Sequence, residues 1–159
     1  MAPERALDGS AQLCTFVLDG LLLGIDVIRV QEVIRCQPMT RVPLASAAVG
    51  GLINLRGQIV TAIDLRWQLG LPPRRADQPP MNVVVRTDEG AVSLLVDEID
   101  DIIDVPESSF EEPPANISPR SRELIRGVYK LEHRLLLLVD AERATRIGRH
   151  TRATGEPDR

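Results

Sequence analysis

Apolar residues in this chain come in short bursts. Runs rich in Val, Ile and Leu occupy residues 13–19, 21–27, 51–55, 59–63, 81–87, 91–96, 125–131 and 135–139, each bounded by Gly, Asp, Pro or Arg. Runs this short, closed by turn formers, predict strands. Asp19-Gly20 and Asp88-Glu89-Gly90 supply the positive-φ positions that tight hairpins need, and Arg56-Gly57 sits between two runs in the same way. Helical signals are brief. Asp64 can cap a helix over 65–69 with Gly70 as its stop, and Asp140 can cap a last one from Ala141 to about Ile147. Residues 72–80 predict a loop, and Pro106 through Pro119 a long exposed connection. Many short strands with few helices predict an all-β barrel or sandwich.

The chain also resembles itself. Residues 51–64 lie over 127–140 without a gap: Gly opens both, a polar turn sits at the same place, and an Asp closes both at a helix start. A weaker match places 27–34 over 96–103. This pattern predicts two small β-barrels of similar construction, packed together because each alone buries too little. Two unrelated hairpins running into capped helices would share part of it, and the pattern does not say which strands belong to which barrel.

Composition narrows the function. The 159 residues are 43% hydrophobic and 26% charged, ordinary for one domain or two small ones. The net charge is −4, with residues 81–142 carrying fourteen acidic and six basic groups. That balance, with Phe16, Trp67, Phe110 and Tyr129 as the whole aromatic complement, counts against a nucleic-acid-binding barrel. No apolar run approaches the ~18–20 residues that cross a bilayer, so no direct membrane insertion is expected. Residues 1–11 carry Pro3, Glu4, Arg5 and Asp8 and do not read as a signal peptide. Cys14 and Cys36 lie in apolar segments and read as buried reduced thiols of a cytosolic protein. Residues 1–10 and 148–159 are expected to be flexible ends around a folded 11–147.

Catalytic chemistry finds little footing. Gly50-Gly51 lacks the Gly and Lys of a phosphate loop, and no G-x-G-x-x-G occurs. His133 falls in a hairpin turn and His150 in the tail, neither beside a nucleophile. The cysteine spacing suits no zinc site. The carboxylates Asp97, Glu98, Asp100, Asp101 and Asp104 lack the central Gly of a calcium loop and read as a solvated face. No catalytic residue, metal or cofactor is expected. What remains is recognition surface. Arg56, flanked by Asn54 and Gly57, is an exposed turn cation able to take a carboxylate bidentately. Glu32 is a charge in an apolar stretch that also reads as a solvated helix position. Trp67, beside Leu65 and Leu69, reads as seam packing.

At these residues the sequence resembles a known family. Val30-Gln31-Glu32-Val33, the G-L-I-N-L-R-G of 51–57 with Ile59-Val60 and Ile63-Asp64-Leu65, and Leu95-Val96-Asp97-Glu98-Ile99 resemble, in that order, the CheW-like chemotaxis coupling proteins; Gly127-Val128 and the run closing on Asp140 agree. The resemblance covers about residues 11–147. It implies two SH3-like five-stranded β-barrels with short helices, and a non-catalytic adaptor bridging a CheA-type histidine kinase and the cytoplasmic tip of chemoreceptors. It further implies that the kinase's regulatory domain, of the same two-barrel fold, binds barrel to barrel, and that the receptor tip lies in the groove between barrels. The protein would then be cytoplasmic and recruited to membrane-associated receptor arrays. Arg56 and Glu32 match positions linked to receptor coupling, with Val30, Gly51, Asn54 and Gly57 beside them. Thr61 departs from the pattern, standing where such proteins usually carry proline. An adaptor for a non-flagellar chemosensory pathway fits the same residues.

Overall fold

The structure, a computed structural model, describes residues 9–147. Strands β1 (Ser10–Leu18) and β2 (Leu21–Asp26) turn at Asp19-Gly20, both at positive φ. A 3₁₀ turn at Val27–Arg29 leads into β3 (Val30–Ile34). Then β4 (Val49–Leu55) and β5 (Gln58–Asp64) form a hairpin around Arg56-Gly57, at φ 52° and 89°. Two consecutive positive-φ residues are what a two-residue turn needs to match the strand twist. Asp64 caps the one-turn helix α1 (Leu65–Gln68), its carboxylate accepting the Arg66 N–H at 3.0 Å. Next come β6 (Met81–Thr87), β7 (Gly90–Val96) and β8 (Glu98–Pro106). The chain ends through β9 (Phe110–Glu111), α2 (Pro119–Leu124), β10 (Ile125–Lys130), β11 (Leu135–Val139) and α3 (Ala141–Ala144), the last capped by Asp140.

Two sheets result, ordered β8-β1-β2-β11-β10-β9 and β3-β6-β7-β5-β4. The repeat seen in the sequence is the organising fact of both. In β4–β5, Val49 faces Ile63 and Gly51 faces Ala62 across a bulge; in β10–β11, Ile125 faces Val139 and Gly127 faces Leu138 across the same bulge. Each position is displaced by 76. The parallel contacts agree as well: Thr61 beside Val92 corresponds to Leu137 beside Leu23. The weaker match is also structural, because β3 bulges against β6 between Val30 and Glu32, and the β8–β1 ladder shifts at its counterpart. The twist is an exchange. β3 follows β2 in the chain but pairs with β6, while β8 follows β7 but pairs with β1. Each barrel therefore contains a strand contributed by the other half of the repeat.

Both sheets close in one way. The segment after β3 returns to the outer edge of β4, where Thr40 and Leu52 exchange N–H···O=C bonds of 2.9 and 2.8 Å. The segment after β8 returns to β10 as β9, Tyr129 opposite Phe110. That two-residue pairing makes one sheet six-stranded and the other five-stranded. Glycine is required beneath each returning segment. A Cβ on Gly51 would stand 2.9 Å from the Thr40 carbonyl oxygen; one on Gly127 would stand 2.6 Å from that of Glu111 and run into the Phe110 ring. Gly127→Ala should therefore lower stability by about 1–3 kcal/mol through overpacking, read as a fall in the urea midpoint.

The larger apolar core lies in the seam. Phe16, Leu18, Leu23 and Ile25 of one sheet meet Ile63, Val83, Val85, Leu94 and Val96 of the other, with Leu65, Leu69, Ala141 and Ala144 from around α1 and α3. A second cluster, including Leu13, Tyr129, Leu136 and Leu138, fills the first barrel. Tyr129 packs edge-on to Phe110 at 5.2 Å, and burial pushes its hydroxyl pKa up to about 12. On the face of β6 and β7 opposite Val83 and Leu94, Ser93 donates to Asn82 at 2.8 Å and Asn82 to the Arg35 carbonyl at 3.2 Å, so this buried pair is satisfied. Gln68 bridges the two halves, its amide donating to the carbonyls of Ala144 and Arg146 at 2.8 and 2.7 Å.

Several expectations change. Cys14 is buried, but Cys36 is exposed, because it lies past the end of β3 where the chain leaves the sheet. Trp67 is 37% exposed, while its neighbours Arg66 and Gln68 are buried: one helical turn places Trp67 outward, where the Arg120 guanidinium stacks on the ring at 5.0 Å. Glu32 is on a strand, not a helix. The connection from Pro106 to Pro119 carries a 3₁₀ turn and β9. The last helix stops at Ala144, and Ser10 already pairs with Pro106 in β1. The rest of the expected flexible ends, residues 1–8 and 148–159 with His150, lies outside the described residues.

Candidate partner-binding site

Acidic residues divide into two kinds here. Glu98, Asp100, Asp101 and Asp104 are exposed along β8, but Asp97, expected on the same solvated face, is buried. It stands where the chain passes from β7 to β8. Arg66 grips it as a fork, Nε to Oδ1 at 3.0 Å and Nη2 to Oδ2 at 2.6 Å. Arg74 donates to Oδ1 at 3.1 Å and the Asp19 N–H to Oδ2 at 2.9 Å. Burial alone would push the Asp97 carboxyl up; the Arg66 hydrogen bond, the Asp19 N–H and the two guanidinium charges outweigh it and hold the carboxyl below its ordinary range. This network is closed inward and holds the fold.

The second charged arrangement faces out. Arg56, at the tip of the β4–β5 hairpin, meets Glu32 of β3 through two parallel bonds of 2.7 Å each. Asn54 shapes that tip by accepting the Gly57 N–H at 2.8 Å. β3 and β4 are the two edges of their sheet, so the pair forms only because the sheet curls on itself. The hydrogen bond from Arg56 lowers the Glu32 carboxyl pKa, and Glu32 in turn raises that of the Arg56 guanidinium. The Arg56 side chain remains 74% exposed and that of Glu32 18%, so Glu32 holds the arginine from behind and the free edge of the guanidinium points to solvent.

The other barrel closes without such a pair. By the repeat, the counterparts of Glu32 and Arg56 in the other barrel are Asp101 and Glu132, both acidic, and that barrel closes in the same register. The structure thus brings together four of the residues expected at a site: Glu32, Arg56, Asn54 and Gly57. Val30 begins β3 and packs half-buried against the seam core. Gly51 is buried, and barrel closure accounts for its missing side chain. Asp97 as a buried anchor was not foreseen; its place directly after an apolar strand was the available signal.

Among the described residues, no group of three or more His, Cys, Asp or Glu is placed to hold a metal ion. His133 is exposed in its turn beside Glu132. A cavity of about 580 Å³ lies under loop 41–50, and Arg41 and Ser46 are its polar side chains, with no acid, base or nucleophile pair. No helix of the described residues is long and apolar enough to cross a membrane. Duplicated barrels with an outward ion pair present a surface suited to recognition.

Comparison with known proteins gives that architecture its family. The CheW-like domain matches residues 12–147, and the chain belongs to the CheW family. It is 32% identical over 130 residues to the chemotaxis protein CheW of Bacillus subtilis, covering 82% of this chain and 83% of that one. It is 28% identical over 134 residues to the chemotaxis protein CheW of Thermotoga maritima, covering 83% and 85%. The crystal structure of the scaffolding protein TtCheW from Thermoanaerobacter tengcongensis shares the fold, with a TM-score of 0.79 at 24% identity over 87% of this chain and 94% of that one. The chain is a chemotaxis coupling adaptor by family.

Proposed function

We propose that this chain bridges a CheA-type histidine kinase and the cytoplasmic tip of chemoreceptors, catalysing nothing itself. The observation that carries this reading is the Arg56–Glu32 pair, built on one barrel, facing solvent, and dispensable for closing the other. A feature the other barrel does without, held in bidentate geometry on a rigid turn, is a recognition element. The receptor helix would lie in the groove between the barrels, in the helix-in-groove manner. The kinase's regulatory domain would dock barrel to barrel. A single contact of this size is about micromolar, and arrays strengthen it through effective concentration. The protein would act in the cytoplasm, recruited to membrane-associated receptor arrays.

The test is co-sedimentation of the purified chain with vesicles bearing a receptor cytoplasmic domain, with and without a CheA-type kinase. Retention should require receptor or kinase and be greatest with both. Absence of retention under every combination would sink the adaptor reading.

A further inference from the structure

The two crossovers that exchange β3 and β8 are each pinned by a carboxylate, and the repeat places residues of opposite charge, Arg66 and Glu142, at the same helix position of the two pins. Where β7 passes to β8, Asp97 accepts the Asp19 N–H and pairs with Arg66, the second residue of α1. Where β2 passes to β3, the acid is on the helix. Glu142, the second residue of α3, accepts the Asp88 N–H at 2.9 Å and pairs with Arg29 at 2.9 Å. Arg66 and Glu142 are counterparts in the repeat, as are Asp19 and Asp88. The first pin is buried. The second is open, with the Arg29 side chain 41% and that of Glu142 24% exposed.

The open pin sits upstream of the candidate site. Arg29 ends the 3₁₀ turn that runs straight into β3, and its Nη1 also donates to the Arg86 carbonyl at 3.3 Å. Arg86 donates in return to the carbonyls of Ile28 and Val30, at 3.1 Å each. β3 is an edge strand, and its ladder to β6 is interrupted by the bulge between Val30 and Glu32. Past that bulge Glu32 rejoins the ladder opposite Val84, and the chain reaches that register through Val30 and the turn that Arg29 ends, so the anchoring of the strand's entry bears on how the carboxylate is presented.

We propose that Glu142 and Arg29 are positioning residues for the partner-binding pair: by fixing the entry of β3 they hold Glu32 where the Arg56 fork can meet both its oxygens. The geometric part stands by itself; the functional consequence rests on the adaptor reading. The experiment follows the Glu32 carboxyl titration and the Arg56 guanidinium N–H signals by NMR in the free, full chain. It then measures retention by receptor and kinase. Glu142→Gln and Arg29→Gln should each move the Glu32 titration up toward an ordinary glutamate and average the Arg56 signals. Retention should fall several-fold. Arg29→Lys, which keeps the charge, should restore most of both readouts, and Lys130→Gln, which breaks the 3.2 Å Lys130–Glu111 pair of the other barrel, should alter neither. A merely structural role would lower the unfolding midpoint and leave the Glu32 titration unmoved, and that result overturns the proposal. If Glu142→Gln does not fold, Arg29→Gln poses the same question from the other side of the pair. A shifted titration with unchanged retention would support the positioning and refute the adaptor surface.

Discussion

Asp97→Asn will unfold at a much lower urea concentration than the parent at neutral pH, a loss of about 3–5 kcal/mol. The reason is what remains. Asp97 is the partner of Arg66 and Arg74, whose side chains are 8% and 9% exposed, while Asp19 and Asp64 stand 3.8 and 3.9 Å from them. An amide keeps the size and some hydrogen bonds but removes the charge, leaving two buried guanidiniums with only distant compensation. The pH dependence gives a second readout. The Asp97 carboxyl is held below its ordinary value in the folded protein, so the unfolded chain binds its proton first. Its contribution is fully present above about pH 4 and disappears as pH falls through the folded value. The stability difference between parent and Asp97→Asn should therefore shrink as pH drops below about 4. Equal midpoints at pH 7, or a difference that grows in acid, would show that the network does not hold the crossover.

Strands with plain apolar runs were legible in the sequence because burial on both faces leaves a continuous Val/Ile/Leu signature. β3 and β8 were not, and the bulges are the cause. An extra residue shifts the in–out alternation midway through each strand, so Val30, Val33 and Ile34 fall at helical spacing and Asp97, Asp100, Asp101 and Asp104 mimic a helix face. The repeat of the β4–β5 and β10–β11 hairpins could be read directly, down to the capping Asp64 and Asp140. The exchange of β3 and β8 could not, since it alters which strand lies beside which and no residue pattern within either. α1 is too short for periodicity to separate buried Arg66 from exposed Trp67. For the site, Arg56 and Glu32 were each visible, one as a turn cation and one as a charge among apolar residues. Their contact was not, because 24 residues separate them and only the curled sheet brings its two edges together.

Arg56→Glu should leave the urea midpoint nearly unchanged and reduce retention by receptor and kinase by about tenfold or more. The fold tolerates it because the side chain stands on an open turn and the other barrel closes with Glu132 at the same place. Binding does not, because the reversal removes the exposed donors and faces Glu32 with a second carboxylate. Glu32→Arg should act in the same direction for a different reason, pushing Arg56 off its mark. The double reversal separates the two roles. It rebuilds an ion pair across the barrel edge but presents the opposite charge to the partner, so retention should stay low while the turn regains its order. Arg56→Lys should fall between, keeping the charge and losing the planar fork. Added salt should weaken parental binding more than that of Arg56→Glu, since only the parent has this attraction to screen. Full retention by both single reversals would mean that partners dock elsewhere. Full recovery in the double reversal would mean that they read the shape of the closed edge and not the guanidinium.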